Sequence, residues 1–200
     1  MHQPTWRAVA LPVLVLLASL TACSSGSGAR ISGDAGTTAP VSRAPAPERT
    51  VSTDPDRVTI TSIGVDSALL PLGLNQDGTV EVPPAQQGMT AGWYTGGAVP
   101  GERGAAVIIG HNDTRFGKAV FHDLRELHKG ADIAVRNSRG STAHFTVTAT
   151  ESVSKKAFPT QKVYGSTNDR ALRLITCDGA FDPQGHPVDN LIVYAELARP

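Results

Sequence analysis

Cysteine, aromatic residues and net charge are all scarce in this chain. Two cysteines, two tryptophans and three tyrosines serve 200 residues. Two cysteines cannot build the multiple cross-links of a small disulfide scaffold. Lysine plus arginine number 18, as do aspartate plus glutamate, and no long run of either sign occurs. The electrostatic footprint of a nucleic-acid binder is therefore missing, and nucleic acid is excluded as a partner. The apolar stretch from Ala8 to Ala22 is shorter than the roughly 20 residues of a bilayer-spanning helix and is broken by Pro12, so a permanent span is the less favoured reading.

What is present divides the chain in three. Residues 1–23 read as an export signal: a polar start with Arg7, the apolar stretch, then small polar residues. Its exit, "LTAC", resembles a bacterial lipobox, in which Cys23 is lipidated and becomes the new N-terminus. An uncleaved helical anchor is the alternative, and either places the rest outside the cytoplasmic membrane. Residues 24–55 are rich in Gly, Ser, Thr, Ala and Pro and hold too few large apolar groups to offset ordering entropy, which predicts a disordered tether. Residues 56–200 change texture. Short runs such as "RVTITSIGV", "SALLPLGL", "TVEVPP", "AAVIIGH", "DIAVRN", "HFTVTATESV", "ALRLITC" and "LIVYAEL", separated by turn residues, predict an all-β sandwich or barrel. One segment, "FGKAVFHDLRELHKG", spaces Val120, Leu124 and Leu127 for a short helix ending before Gly130.

If Cys23 is lipidated, Cys177 is a lone thiol in an exported domain, a liability unless its reactivity is wanted. A cysteine nucleophile works as a thiolate beside a base. "GAAVIIGHND" carries an apolar strand into His111, as "ALRLITC" carries one into Cys177 before Asp178 and Gly179, which read as a turn. Two reactive side chains at strand ends can meet at one rim of a barrel. Taken alone, each also suits an inert role, the histidine as a turn residue and the cysteine as a small hydrophobe. His186, in the turn after Cys177, is the rival base.

"LRLITC" resembles the TLxTC signature of the sortases, and "IIGHND" resembles their catalytic-histidine segment. "VTITSIGVDSALLPLGL", "TVEVPP", "AGWYTGGAVPGERGAAVIIGH" and "VFHDLRELHKGADIAV" fit the same family, most closely its actinobacterial class E and class F members. The resemblance implies a closed eight-stranded β-barrel with one or two short helices. It implies an extracytoplasmic cysteine transpeptidase; no cofactor is expected, and no spacing of acidic residues resembles a calcium loop. Such an enzyme cleaves an LPxTG-like sorting signal through a thioacyl intermediate on Cys177, with His111 as acid and base, and transfers the protein to an amine acceptor of the cell wall. Its partners would be exported proteins bearing a C-terminal sorting signal, a wall precursor or other amine, and the membrane through the N-terminus. A hydrolytic peptidase and a non-catalytic binding lipoprotein are the alternatives.

Sortases generally carry an arginine on the strand after the cysteine, where it orients substrate or stabilises the oxyanion. Between Cys177 and Arg199 this chain has none. Asn190 falls at about that place and can donate hydrogen bonds without charge. Arg173 is the second candidate, because the two-residue period of a strand puts it on the side of Ile175 and Cys177. Arg115, in the loop after His111, comes next.

The lipobox reading has a direct check. Protein extracted from membranes should begin at Cys23 and carry acyl chains, whereas recovery of an N-terminus at Met1 would establish the uncleaved anchor.

Overall fold

Two textures of strand alternate in the sequence, and the fold gives each a place. The computed structural model describes residues 53–199. The expected export signal, Cys23 and nearly all of the expected tether lie outside the described residues. The chain runs through β1 (Pro55–Ile60), a 3₁₀ turn (Thr61–Ile63), β2 (Val65–Leu72), a 3₁₀ turn (Ala85–Gln87), β3 (Ala91–Tyr94) and β4 (Gly104–Ile109). A small hairpin follows, β5 (Asp113–Thr114) with β6 (Gly117–Lys118), then a 3₁₀ turn (Leu124–Glu126), β7 (Asp132–Asn137) and β8 (Thr142–Ser154). A 3₁₀ turn (Lys155–Ala157), the helix α1 (Thr160–Tyr164), β9 (Arg170–Phe181) and β10 (Pro187–Leu197) complete it. Eight strands close a barrel in the order β1-β2-β3-β4-β9-β10-β8-β7, so the expected fold class holds. Closure removes the unpaired edges that an open sheet would expose.

Strands covered on one face alternate, and strands covered on both do not. In β8, Phe145 and Val147 are buried between exposed neighbours, the pattern of a sheet with one wet face. In β4 ("GAAVII") and the first part of β9 ("ALRLIT") nearly every residue is buried, because a second apolar layer covers them from outside. Ala106, Ile108, Leu172, Leu174, Leu191 and Val193 belong to the barrel interior with Phe121 and Phe145. Their alternate neighbours Val107, Ile109, Ile175, Ile192 and Tyr194 form an outer cluster with Val163 of α1, flanked by Tyr94, Phe158 and Tyr164.

Three sequence readings need correction. "TVEVPP" is no strand: apart from an isolated bridge between Leu74 and Val80 it runs as a loop, and two consecutive prolines leave no ladder donors there. The helix expected in "FGKAVFHDLRELHKG" is a chain of tight turns. His122, Leu124, Glu126 and Leu127 each donate their backbone N–H to the carbonyl three residues earlier, at 3.0–3.2 Å. Three-residue turns bring Val120, Phe121, Leu124 and Leu127 inward as well as a helix would, which is why the spacing misled. Cys177 does not end its strand. β9 continues to Phe181, and Asp178-Gly179 is absorbed as an irregularity in the β9–β10 register, with Gly179 at φ +81°. The turn comes later, at Asp182–Gly185, where the Gly185 N–H donates to the Asp182 carbonyl. The α-helix that does exist, α1, spans five residues and is too short to show a period.

Gly110 marks close packing beside the site. A Cβ there would lie 2.6 Å from both Val120 Cγ1 and Phe121 Cδ2, inside the buried turn segment. Gly110→Ala should lower the unfolding free energy by about 1–3 kcal/mol, the usual range for overpacking. Urea denaturation checks this, and an unchanged midpoint would show that the turn segment yields freely.

Candidate active site

Register, more than sequence proximity, assembles this site. β4 and β9 run parallel with Val107 opposite Arg173 and Ile109 opposite Ile175. The ladder goes one step beyond β4, since the Gly110 N–H donates to the Ile175 carbonyl at 3.1 Å. His111 and Cys177 each lie two residues past the Ile109–Ile175 pair, so they share one level and one face. On the other side, antiparallel β10 sets Tyr194 opposite Arg173, Ile192 opposite Ile175 and Asn190 opposite Cys177. His111, Cys177 and Asn190 therefore form a row across three strands, and the row caps the apolar stripes of the outer cluster.

Local contacts hold that row. The His111 ring Nε2 sits 2.7 Å from the Pro83 carbonyl. A carbonyl only accepts, so Nε2 carries the hydrogen and Nδ1 is left for exchange. Asn112 Nδ2 donates to the Cys177 carbonyl at 3.2 Å, tying the histidine loop to the backbone of the cysteine. Asp178 accepts from Ser152 Oγ at 2.9 Å and from Arg125, which anchors the residue after Cys177 to β8 and to the turn segment. The Lys155 ammonium lies 3.6 Å from Cys177 Sγ. Cys177 is a free thiol, half-buried.

Above the row lies a groove of about 610 Å³ whose floor includes His111, Thr176, Cys177 and Asn190. One wall is the 74–82 loop, with Leu74, Val80 and Val82; the other is Phe158 and Tyr164 beside Tyr94. The Tyr94 and Tyr164 rings meet edge to face with centroids 5.8 Å apart. Burial pushes the Tyr164 phenol up to about 12, with Tyr94 adding to the effect, so this wall stays uncharged. On the far side of Cys177 a second concavity of about 760 Å³ has polar walls, including Asn112, Arg115, Arg125 and Asp178. The thiol stands between an apolar groove and a polar basin.

Comparison with known proteins bears on this geometry. The family profile described as a Sortase domain matches residues 58–198, most of the chain. The chain belongs to the sortase family. Among solved structures, sortase A from Corynebacterium diphtheriae is similar with TM-score 0.56 and 20% identity, over 72% of this chain and 60% of that one. Sortase C-1 from Actinomyces oris is similar with TM-score 0.57 and 23% identity, over 72% of this chain and 71% of that one. The Group B Streptococcus pilus island 1 sortase C2 matches with TM-score 0.55 and 23% identity, over 72% and 73%. No curated protein sequence matches the chain. At these identities the structural likeness concerns the fold.

The remaining residues singled out from this sortase sequence separate clearly. Asn190 joins the row, and among the described residues its amide makes no side-chain hydrogen bond. Arg173 shares the outer face but lies four residues back along β9. Its guanidinium stacks 4.8 Å from the Tyr194 ring centroid and donates to the Leu172 carbonyl at 3.0 Å. Burial draws its pKa down, and it does not line the groove. His186 faces solvent beside Asp182 and lines neither concavity. Arg115 lies over the Phe116 ring on the basin side. Sequence reasoning missed Asn112, Pro83, Lys155 and the aromatic wall. Only Asn112 carried a local signal, its place next to His111.

The Asn112 clamp yields an ordered expectation. Its Oδ1 is buried without a partner, while Nδ2 makes the bond to Cys177. Asn112→Ala should lose about 1 kcal/mol. Asn112→Asp should lose more, because it sets a carboxylate oxygen against the Cys177 carbonyl and leaves another buried and unpaired. Equilibrium unfolding of both variants tests the order, which equal or reversed losses would refute.

Proposed function

We propose that this chain is a cysteine transpeptidase that cleaves LPxTG-like sorting signals of exported proteins and passes them to an amine acceptor of the cell wall. The single observation supporting it is the row of His111 and Cys177 at the floor of an apolar groove that opens on its other side to a polar basin. An extended peptide with leucine and proline suits the groove between Leu74, Val82, Phe158 and Tyr164. His111 Nδ1 takes the thiol proton, and Cys177 Sγ attacks the threonine carbonyl carbon, forming a tetrahedral adduct. The C–N bond to glycine then breaks as His111 gives its proton to the leaving amine, which leaves a thioester on Cys177. The acceptor amine comes through the basin, His111 takes its proton, and the new amide forms as the sulfur departs. The Asn190 amide donates to the oxyanion in both steps, as it faces the same space without a partner of its own.

The same reading puts the domain on the outer face of the cell membrane, held through lipidated Cys23 with residues 24–55 as its tether. The wall-facing amine and the exported substrates are both found there.

Cleavage of a fluorogenic LPxTG peptide by the full chain, with and without an added amine, tests the proposal. The amine should raise the release rate and yield a ligated product. A rate indifferent to amine with only hydrolysed product would make the chain a peptidase instead. Cys177→Ala and His111→Ala should each remove cleavage to below about 10⁻³ of the parent rate, and His186→Ala should leave it unchanged. A folded Cys177→Ala variant that still cleaves would overturn the mechanism.

A further inference from the structure

Attack by a thiolate moves negative charge from sulfur to the carbonyl oxygen, and the Asn190 amide meets that charge with a dipole only. The strand after Cys177 offers no cation. The geometry points to Lys155 as the missing positive charge: we propose that its ammonium pairs with the Cys177 sulfur in the free enzyme and with the oxyanion once the adduct forms. This makes Lys155 a catalytic residue of the activity proposed above, and it rests on that reading.

The placement follows from the sheet. Val153 of β8 pairs with Asn190, which pairs with Cys177, so the end of β8 lies two strands from the sulfur. Immediately after Ser154 the chain enters the 3₁₀ turn 155–157, where the Ser154 hydroxyl accepts from the Lys156 N–H at 3.3 Å. That turn sends the Lys155 stem back across β10, and Nζ comes to 3.6 Å from Sγ, hydrogen-bond range for sulfur. Ser152, three residues earlier, bonds Asp178 and fixes the same end of β8 beside the cysteine.

Other cations near the site are engaged elsewhere. Arg125 pairs with Asp178, Lys162 with Glu151, Arg173 stacks on Tyr194 and Arg115 lies over Phe116. Among the described residues, Lys155 has no carboxylate within ion-pair distance to compete with the sulfur. The oxygen of the tetrahedral adduct is only two bonds from that sulfur. A flexible lysine stem with three donors can follow the charge from one atom to the other without backbone movement. The cation is supplied from the turn after β8, whereas β10 supplies only the Asn190 amide.

Two rates on the full chain test this, for the parent, Lys155→Met and Lys155→Arg, with Cys177→Ala as the blank. Alkylation of Cys177 by iodoacetamide needs no sorting peptide and reads the sulfur alone. Lys155→Met should slow it about tenfold, as loss of a cation beside a thiolate does, and Lys155→Arg should stay within about threefold of the parent. Acylation by an LPxTG peptide should fall by roughly 10²–10³ in Lys155→Met, more than alkylation, and recover largely in Lys155→Arg. Parent-like alkylation and acylation in Lys155→Met would overturn the proposal. If the parent itself takes up no peptide, the transpeptidase reading falls, and alkylation still decides on Lys155: tenfold slowing upholds its pairing with the sulfur, and equal rates refute it.

Discussion

Backbone hydrogen bonds joining β4 to β9 and β9 to β10 fix a register on which the rest of the molecule depends. That register sends alternate residues of three strands to opposite faces. The inward set, Ile108, Leu174 and Val193 among them, closes the barrel core. The outward set, Ile109, Ile175 and Ile192, makes a hydrophobic stripe that α1 and the aromatic residues cover. One further step outward along each strand brings His111, Cys177 and Asn190 into line. A slip by one residue would exchange the two faces, so the same packing that stabilises the barrel specifies the site.

The site is stiff below and softer above. Its floor is central sheet, with β9 paired on both sides, and its walls are the loop leading into Pro83 and the aromatic residues at and before the five-residue helix. The loop is not independent of the floor. The Pro83 carbonyl holds the His111 ring, and Glu81 ties the loop to the end of β2 through the Gly73 N–H at 2.7 Å. Movement of that loop would release the imidazole as well as widen the groove. Charge follows a similar division. Ionic contacts such as Arg125 with Asp178 and Lys162 with Glu151 sit at the margins, where they order segments while the groove lining stays apolar.

Barrel, strands and the nearness of His111 to Cys177 were legible because each leaves a local trace: alternation in β8, continuous apolar runs in β4 and β9, and a residue of reactive type at the end of each run. The Leu124 segment misled because spacings of three and four suit 3₁₀ turns as well as an α-helix. Asp178-Gly179 misled because a dipeptide that favours a turn also suits a strand irregularity, and only the partner strand decides between them. Arg173 was placed on the correct face, but the sequence could not reveal that Tyr194 across the ladder would hold it. Lys155 left no trace. Its nearness to Cys177 arises through two successive strand pairings, from β8 to β10 and from β10 to β9, and such pairings are invisible in a single chain of letters.

The central claim is that Cys177, set in register beside His111, becomes acylated by a sorting peptide. Intact-mass spectrometry of the full chain after brief incubation with an LPxTG peptide reads this directly. The account predicts a mass increase equal to the acyl fragment ending in threonine, mapped by digestion to Cys177 and removed by hydroxylamine as a thioester should be. An unmodified Cys177 in protein that nonetheless cleaves the peptide, or an adduct on another residue, would contradict it.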